Sequence, residues 1–191
     1  MAGRKHPVLL NLGAGPRGRD DDHWVNVDGF SERKIHFVID FQRPLPFSNN
    51  CFDGVFSEHV LEHFTQEDGF LLLVEVMRVL RPGGILRLIV PDGEFIVRSY
   101  VEDPSLLVNY RGSGSGTAME MVNSFFRQRY EHQFIYDWET IERMLREVGF
   151  EEVQRKTYRT SGLDKLGIDD PKYARESLYV EARKSTSPSG G

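Results

Sequence analysis

The segment Val8-Leu9-Leu10-Asn11-Leu12-Gly13-Ala14-Gly15 constrains the fold of this chain more than any other. Its apolar run shows no alternation, and such a strand is one buried on both faces, as in the middle of a parallel sheet. The run stops at Gly13 and Gly15, which carry no Cβ and let the backbone turn sharply and approach a ligand closely. Strand, glycine turn and the start of a helix together make the nucleotide-type cradle of open α/β sheets. Taken alone, the same pattern also describes an ordinary tight corner.

The strand motif repeats along the chain. Trp24-Val25-Asn26-Val27-Asp28 reads as a second strand ending in a carboxylate, reached by a polar connection with room for a turn or two of helix at most. Ile35 to Asp40 reads as a third apolar strand, again ending in Asp, before Pro44 and Pro46 impose a loop. Phe52 to Ser57 is a fourth strand. A helix is expected after Phe64, with Thr65 as N-cap and Asp68 where a capping box usually has Glu. Its apolar positions are Phe70, Leu73, Val74, Met77 and Leu80, and Pro82-Gly83-Gly84 ends it. Ile85 to Val90 is a fifth strand, closed by Pro91-Asp92-Gly93.

From about Pro104 to Arg129 the pattern fades, and Gly112 to Gly116 reads as a flexible loop, either a lid or a surface insertion. Trp138 to Val148 is a second clear helix, capped by Asp137 and ended by Gly149. Phe150 to Thr157 and Ser177 to Ala182 are two last strands with no obvious helix between them, hence a long-looped antiparallel hairpin at one end of the sheet. The alternation predicts an α/β fold, a Rossmann-like, doubly wound, mainly parallel seven-stranded sheet with that hairpin and with helices on both faces. Residues 1–184 read as one domain, with 104–136 as a substrate-side insertion or lid and the Ser/Pro/Gly-rich 185–191 as a disordered tail.

Composition narrows the class. A chain of 191 residues with 39% hydrophobic and 28% charged side chains is ordinary for a globular domain. Its 29 acidic against 24 basic residues, a net charge of -5, disfavour nucleic acid and anionic membranes as general partners. Cys51 alone excludes an internal disulfide framework and fits a reducing, cytoplasmic location. The basic start, Met1 to Pro7, precedes an apolar run too short for a signal peptide or a membrane span.

In this order the pieces resemble the class I S-adenosylmethionine-dependent methyltransferases, from about Val8 to Arg183. Arg78-Val79-Leu80-Arg81-Pro82-Gly83-Gly84-Ile85-Leu86 is the most specific part, and His59-Val60-Leu61-Glu62-His63 strengthens it. The chain is similar to a short subgroup with an Asn-Val-Asp second strand and a late Glu-His-Gln-Phe-Ile-Tyr-Asp segment. The resemblance implies S-adenosyl-L-methionine as cofactor, held at Leu12, Gly13, Ala14 and Gly15, with Asp28 on the ribose hydroxyls and Asp40 with Phe41 at the adenine. Ser57, Glu58 and His59, behind the fourth strand, complete the expected cofactor wall. Asn11 stands where the family has an acid, and Pro16-Arg17-Gly18 replaces its third glycine. The amino-acid end of the cofactor is therefore expected to be held differently, with Arg17 reaching its carboxylate.

A sulfonium is already a strong electrophile, so alignment and exclusion of water are the main requirements. A hydroxyl acceptor still wants a base, for which His63 and His132 are the candidates. Arg127, Arg129 and Tyr136 lie in an aromatic, hydrogen-bonding segment beyond the fifth strand and are the expected acceptor-binding residues. The acceptor is expected to be oxygen on a small metabolite, sugar or peptide, with nucleic acid disfavoured and no membrane partner, in a monomer or homodimer. One alternative is a non-catalytic cofactor-binding module working inside a complex. Another takes His59-Val60-Leu61-Glu62-His63 as the His-x-x-Glu-His pattern of zinc peptidases, with both histidines on one helical face and Glu62 as base. A compromise, implied by a resemblance to some small-RNA methyltransferases at this place, has His59, Glu62, His63 and His132 hold a divalent ion against acceptor hydroxyls. The preferred expectation is no metal, with Glu62 and His63 orienting the loop beside the cofactor.

Overall fold

Leu9–Leu12 forms strand β1 and is buried at every position, as its unbroken apolar run requires. The structure is a computed structural model that describes residues 7–108 and 116–186. Most of the expected Gly/Ser loop (112–115) and the end of the expected tail (187–191) lie outside the described residues. The other strands are β2 (Trp24–Asp28), β3 (Phe37–Val38), β4 (Phe52–Glu58), β5 (Leu80–Pro91), β6 (Glu151–Lys156) and β7 (Ser177–Arg183). They make one seven-stranded sheet in the order β3-β2-β1-β4-β5-β7-β6. The first five are parallel, with Leu12 beside both Val27 and Ser57, whereas β7 runs antiparallel between β5 and β6. The chain thus reverses its direction of winding at β1, and the crevice outside the carboxyl ends of β1 and β4 is where such sheets bind ligands.

The helices are α1 (Gln66–Val79), α2 (Gly93–Glu102), α3 (Ser105–Val108), α4 (Ala118–Arg127) and α5 (Trp138–Val148). Alternate side chains of the central strands face two different layers. Leu10, Leu12, Val55, Leu86, Leu88 and Val180 pack with Leu72, Leu73 and Val76 of α1 and Ile141, Met144 and Leu145 of α5. On the opposite face Leu9, Phe56, Ile85, Ile89 and Tyr179 pack with Leu163, Leu166 and Ile168. That second layer is the β6–β7 connection, which carries only short 3-10 turns at Asp164–Leu166 and Pro171–Tyr173. Between β1 and β2 the helix is reduced to one 3-10 turn, Gly15–Arg17, as the brevity of that connection demands. A third apolar cluster, Ile96, Leu107 and Phe125, joins α2, α3 and α4.

The expected elements are largely present, with three corrections. The third strand shrinks to Phe37–Val38, and its residues are 52% and 56% exposed, so it is an open edge rather than a buried strand. In α1, Thr65 caps Asp68 as expected, but the buried face is Gly69, Leu72, Leu73, Val76 and Val79, while Val74 is exposed. Apolar residues surround this helix, so periodicity alone leaves its phase open. Gly69 sets it, since a Cβ there would lie 3.0 Å from the Tyr136 hydroxyl and 3.2 Å from Leu61. Lastly, β5 begins directly after α1, and Arg81 to Gly84 bulge out where the register with β4 shifts between Phe52 and Gly54.

Candidate cofactor and acceptor site

A cavity of about 980 Å³ opens at the carboxyl ends of β1, β2 and β4. Gly13 and Gly15 form its floor in left-handed backbone, with φ of 73° and 50°. At Gly13 a Cβ would fall 2.1 Å from Val60 Cγ2, so only glycine fits against that neighbour. At Gly15 a Cβ would meet nothing within 4 Å, and the free space beside its backbone belongs to the cavity. Asp28 stands at the next strand end, where its two oxygens accept from the Gly15 amide (2.8 Å) and the Phe30 amide (3.0 Å). An ionised carboxylate has about four acceptor sites, so this one is oriented by the turn with capacity left for a ligand. Beyond it, Val38, Ile39, Asp40 and Phe41 line the far end, with Phe41 edge-on to Phe64 at 6.4 Å.

Of the expected cofactor residues, Gly13, Gly15, Arg17, Asp28, Asp40, Phe41, Glu58 and His59 line this cavity. Leu12 and Ser57 are buried in their strands, and Ala14 lines a smaller cavity of about 390 Å³ on the other side of the turn. Arg17 is already engaged: its Nη1 lies 2.7 Å from both Glu58 Oε2 and Asp170 Oδ2, and its guanidinium sits over the Tyr173 ring. Burial pushes the Glu58 carboxyl above the usual range, opposed by the Asp170 amide and the Arg17 guanidinium, which both bind its charged form. Asp170 and Tyr173 come from the β6–β7 connection, and no periodicity or motif in that segment marked them as part of the site.

Opposite the glycine turn the wall is built from the loop after β4 and the segment after α4. His59 has left-handed backbone, φ 55°, which turns its ring onto Tyr173 at 4.2 Å and places Nε2 2.9 Å from the Ser177 hydroxyl. The chain then makes a 3-10 turn, Leu61–His63, so the single helical face assumed for a His-x-x-Glu-His peptidase site does not form. Glu62 is fully buried, and its backbone carbonyl accepts from the amides of Gln133 (2.8 Å) and Phe134 (3.2 Å). These bonds pin the segment around His132 against His63, with ring centres 5.0 Å apart. Burial lowers the His132 pKa, offset in part by the nearby Glu62 charge.

The acceptor side departs from expectation at three residues. Tyr136 is fully buried in the core beneath α1, its hydroxyl pushed up by burial, and it does not reach the cavity. Arg127 and Arg129 are also absent from the cavity wall, where their neighbours Gln128, Tyr130, Glu131 and Gln133 appear instead. The reason is local backbone geometry. Gln128, Arg129 and Tyr130 all have positive φ (36°, 58° and 73°), so the chain reverses after α4 and presents alternate residues from those a continuing helix would. Consecutive non-glycine residues in this region are strained, and such strain collects at ligand sites.

A family model described as a methyltransferase domain matches residues 24–88. Among solved structures, an S-adenosylmethionine-dependent methyltransferase from Archaeoglobus fulgidus is 16% identical over 94% of this chain and 87% of that one, with a TM-score of 0.55. The Burkholderia thailandensis 1,6-didemethyltoxoflavin-N1-methyltransferase, solved with 1,6-didemethyltoxoflavin and S-adenosylhomocysteine bound, is 18% identical over 94% and 72%, with a TM-score of 0.57. This is the fold of the class I methyltransferases. No curated protein matches the chain. The match runs from the start of β2 into β5 and includes Asp28, Asp40 and the loop with His59 and His63. The domain match and the shared fold agree in pointing to a methyltransferase.

Proposed function

We propose that this chain moves the methyl group of S-adenosyl-L-methionine to an oxygen atom of a small metabolite, sugar or peptide. The observation that carries the reading is the one cavity on whose wall a glycine turn, the carboxylates of Asp28 and Asp40, and His63 meet, with His132 packed against His63. The amino-acid end of the cofactor would lie by Gly13 and Gly15, its ribose at Asp28, and its adenine between Asp40 and Phe41. Glu58 and His59 stand beside the sulfonium end, and the pair of Arg17 with Glu58 and Asp170 closes that end. In the transfer the acceptor oxygen forms the new C–O bond, the C–S bond breaks, and sulfur keeps the electron pair as a neutral thioether. The acceptor's proton is lost at the cluster of His63, which faces the cavity, and His132 behind it. No helix of the described residues is long and apolar enough to cross a membrane.

Calorimetry with S-adenosylmethionine and S-adenosylhomocysteine tests the first half, and the expected result is one-site binding of both. A folded protein that binds neither would remove the reading. Binding with no turnover on any hydroxyl-bearing acceptor would favour a cofactor-binding module that acts within a complex.

A further inference from the structure

The smaller cavity on the other side of the glycine turn, about 390 Å³, holds positive charge that the protein does not pair. Its wall has the cationic side chains of Arg17, Arg19, Lys34 and Arg159, and the carboxylates of Glu58, Asp169 and Asp170. The carboxylates are committed: Glu58 and Asp170 both pair with Arg17, and Asp169 pairs with the buried Arg87. Lys34 pairs with Asp20. Among the described residues, Arg19 and Arg159 form no ion pair, and their side chains donate only to the backbone carbonyls of Ile168 and Asp169.

Both arginines are nevertheless held in place. Asn26, fully buried, accepts from the Arg19 amide (2.9 Å) and donates to the Arg19 carbonyl oxygen (2.8 Å). Arg19 Nη2 lies 3.0 Å from the Ile168 carbonyl oxygen, while its Nε is buried and meets no acceptor. Arg159 has left-handed backbone, φ 57°, kept by Asp169, whose carboxylate accepts from the Arg159 amide at 2.7 Å. Strain of this kind in a non-glycine residue collects at ligand sites. Burial lowers the Arg19 pKa, and the guanidiniums of Arg17 and Arg159 add to that effect against the Glu58 charge. An arginine keeps its proton in a protein, so the folded chain bears this cost unless an anion meets the charge.

We propose that the smaller cavity is a second ligand site, which takes a small oxyanion, a phosphate or a carboxylate, on Arg19 and Arg159. Guanidinium donors match the oxygens of either group in pairs. The volume is that of a small-molecule site, and Phe56, Ile168 and Pro171 give it an apolar wall for the body behind the charged head. A chain with a net charge of -5 does not attract anions in general, so binding here is a property of the cavity. Gly13, Arg17 and Glu58 border both cavities and form the partition between them, which separates this site from the one given to the cofactor. The proposal does not rest on the methyl-transfer reading.

The test is calorimetry of the full chain with inorganic phosphate and, in parallel, with acetate, at fixed ionic strength. The expected result is one equivalent bound, and the tighter probe identifies the head group. Affinity should fall more than about 10-fold in Arg19→Met and in Arg159→Met, as loss of a charged hydrogen-bond donor implies. Arg159 is exposed, so its variant is expected to fold, as circular dichroism would verify. Arg143→Met removes the same charge from the exposed face of α5 and should bind as wild type does. Folded wild-type protein that binds neither probe overturns the proposal, and so does equal weakening in Arg143→Met. S-adenosylhomocysteine is then added to the loaded protein. Both ligands bound together uphold a separate site, whereas one-for-one displacement of the anion makes the cavity part of the cofactor site and overturns it. Anion binding by a protein that takes up no S-adenosylhomocysteine upholds the site and removes only the methyl-transfer reading.

Discussion

At the scale of single residues, Asp28 ties the glycine turn to the loop after β2 and, in the proposed reading, presents its carboxylate to the cofactor. Its oxygens orient on the Gly15 and Phe30 amides before any ligand arrives, so binding needs little further ordering. Asp28→Ala removes both the orientation of the turn and the acceptors proposed for the ribose. Hydrogen bonds to charged groups are worth about 1.5–3 kcal/mol, so the expected loss of affinity for S-adenosylmethionine is roughly 10- to 100-fold by calorimetry. Asp28→Asn keeps one acceptor oxygen and should fall between the two. An unchanged affinity in Asp28→Ala would place the ribose elsewhere. Asp28 and Asp40 were legible because a carboxylate at the end of a strand has a defined place on the binding edge. Asp170 and Tyr173 were not, because they reach the cavity from a connection whose position depends on tertiary contacts alone. Glu62, His63 and His132 were read together from the sequence, but the helix that would set His59 and His63 on one face does not form. Tyr136 misled because it follows a segment that lines the cavity as far as Gln133, while it is itself buried in the core.

Among the elements, α5 shows local signals agreeing with the fold. Asp137 caps it by accepting from the Thr140 amide at 2.9 Å, and Gly149 ends it in left-handed backbone. The contact with Thr140 holds the Asp137 carboxyl below the ordinary aspartate range. A folded-state pKa that is depressed adds stability above the unfolded value of about 3.9, and the gain is lost as pH falls through the folded value. Asp137→Ala should therefore cost about 1 kcal/mol at neutral pH and make the acid limb of stability below about pH 4 shallower. Urea unfolding at a series of pH values checks both, and an acid limb identical to wild type would contradict the assignment. By contrast α4 was not legible, although it has a full capping box from Thr117 and Glu120. The adjoining Gly/Ser run made that region read as loop. Helix α2 was hidden in a similar way, since Asp92 caps it through the Phe95 amide but reads in sequence as part of the turn after Pro91. Nor does β3 extend as its apolar residues suggest, because Val38, Ile39 and Phe41 serve the cavity wall.

For the molecule as a whole, the decisive arrangement is that a loop rather than a helical layer covers one face of the sheet. A loop brings unpaired backbone groups onto an apolar surface, and this one is held by charged residues within the face. Arg87 on β5 is fully buried, pairs through Nε and Nη2 with the equally buried Asp169, and donates to the carbonyls of Thr160 (2.6 Å) and Thr157 (3.1 Å). Glu181 on β7 accepts from the Ser161 hydroxyl (2.6 Å) and the Gly162 amide. Breaking a buried pair by removing one partner costs roughly 3–5 kcal/mol, a large share of the 5–15 kcal/mol that keeps a domain folded. Both Arg87→Met and Asp169→Asn should thus lower the urea midpoint strongly, with the slope unchanged if the unfolded surface is the same. The two residues meet directly, so their effects should not add. The double variant Arg87→Met with Asp169→Leu leaves no lone charge, and it should be no less stable than the weaker single variant. Additive losses would show that each residue acts through its other contacts, with Thr157, Thr160 and the Arg159 amide. The same connection carries Asp170 onto Glu58 and Arg17 and Tyr173 onto His59. Weakening its anchor should therefore loosen the cavity wall before the sheet itself unfolds, and S-adenosylhomocysteine should raise the midpoint of each single variant less than that of wild type.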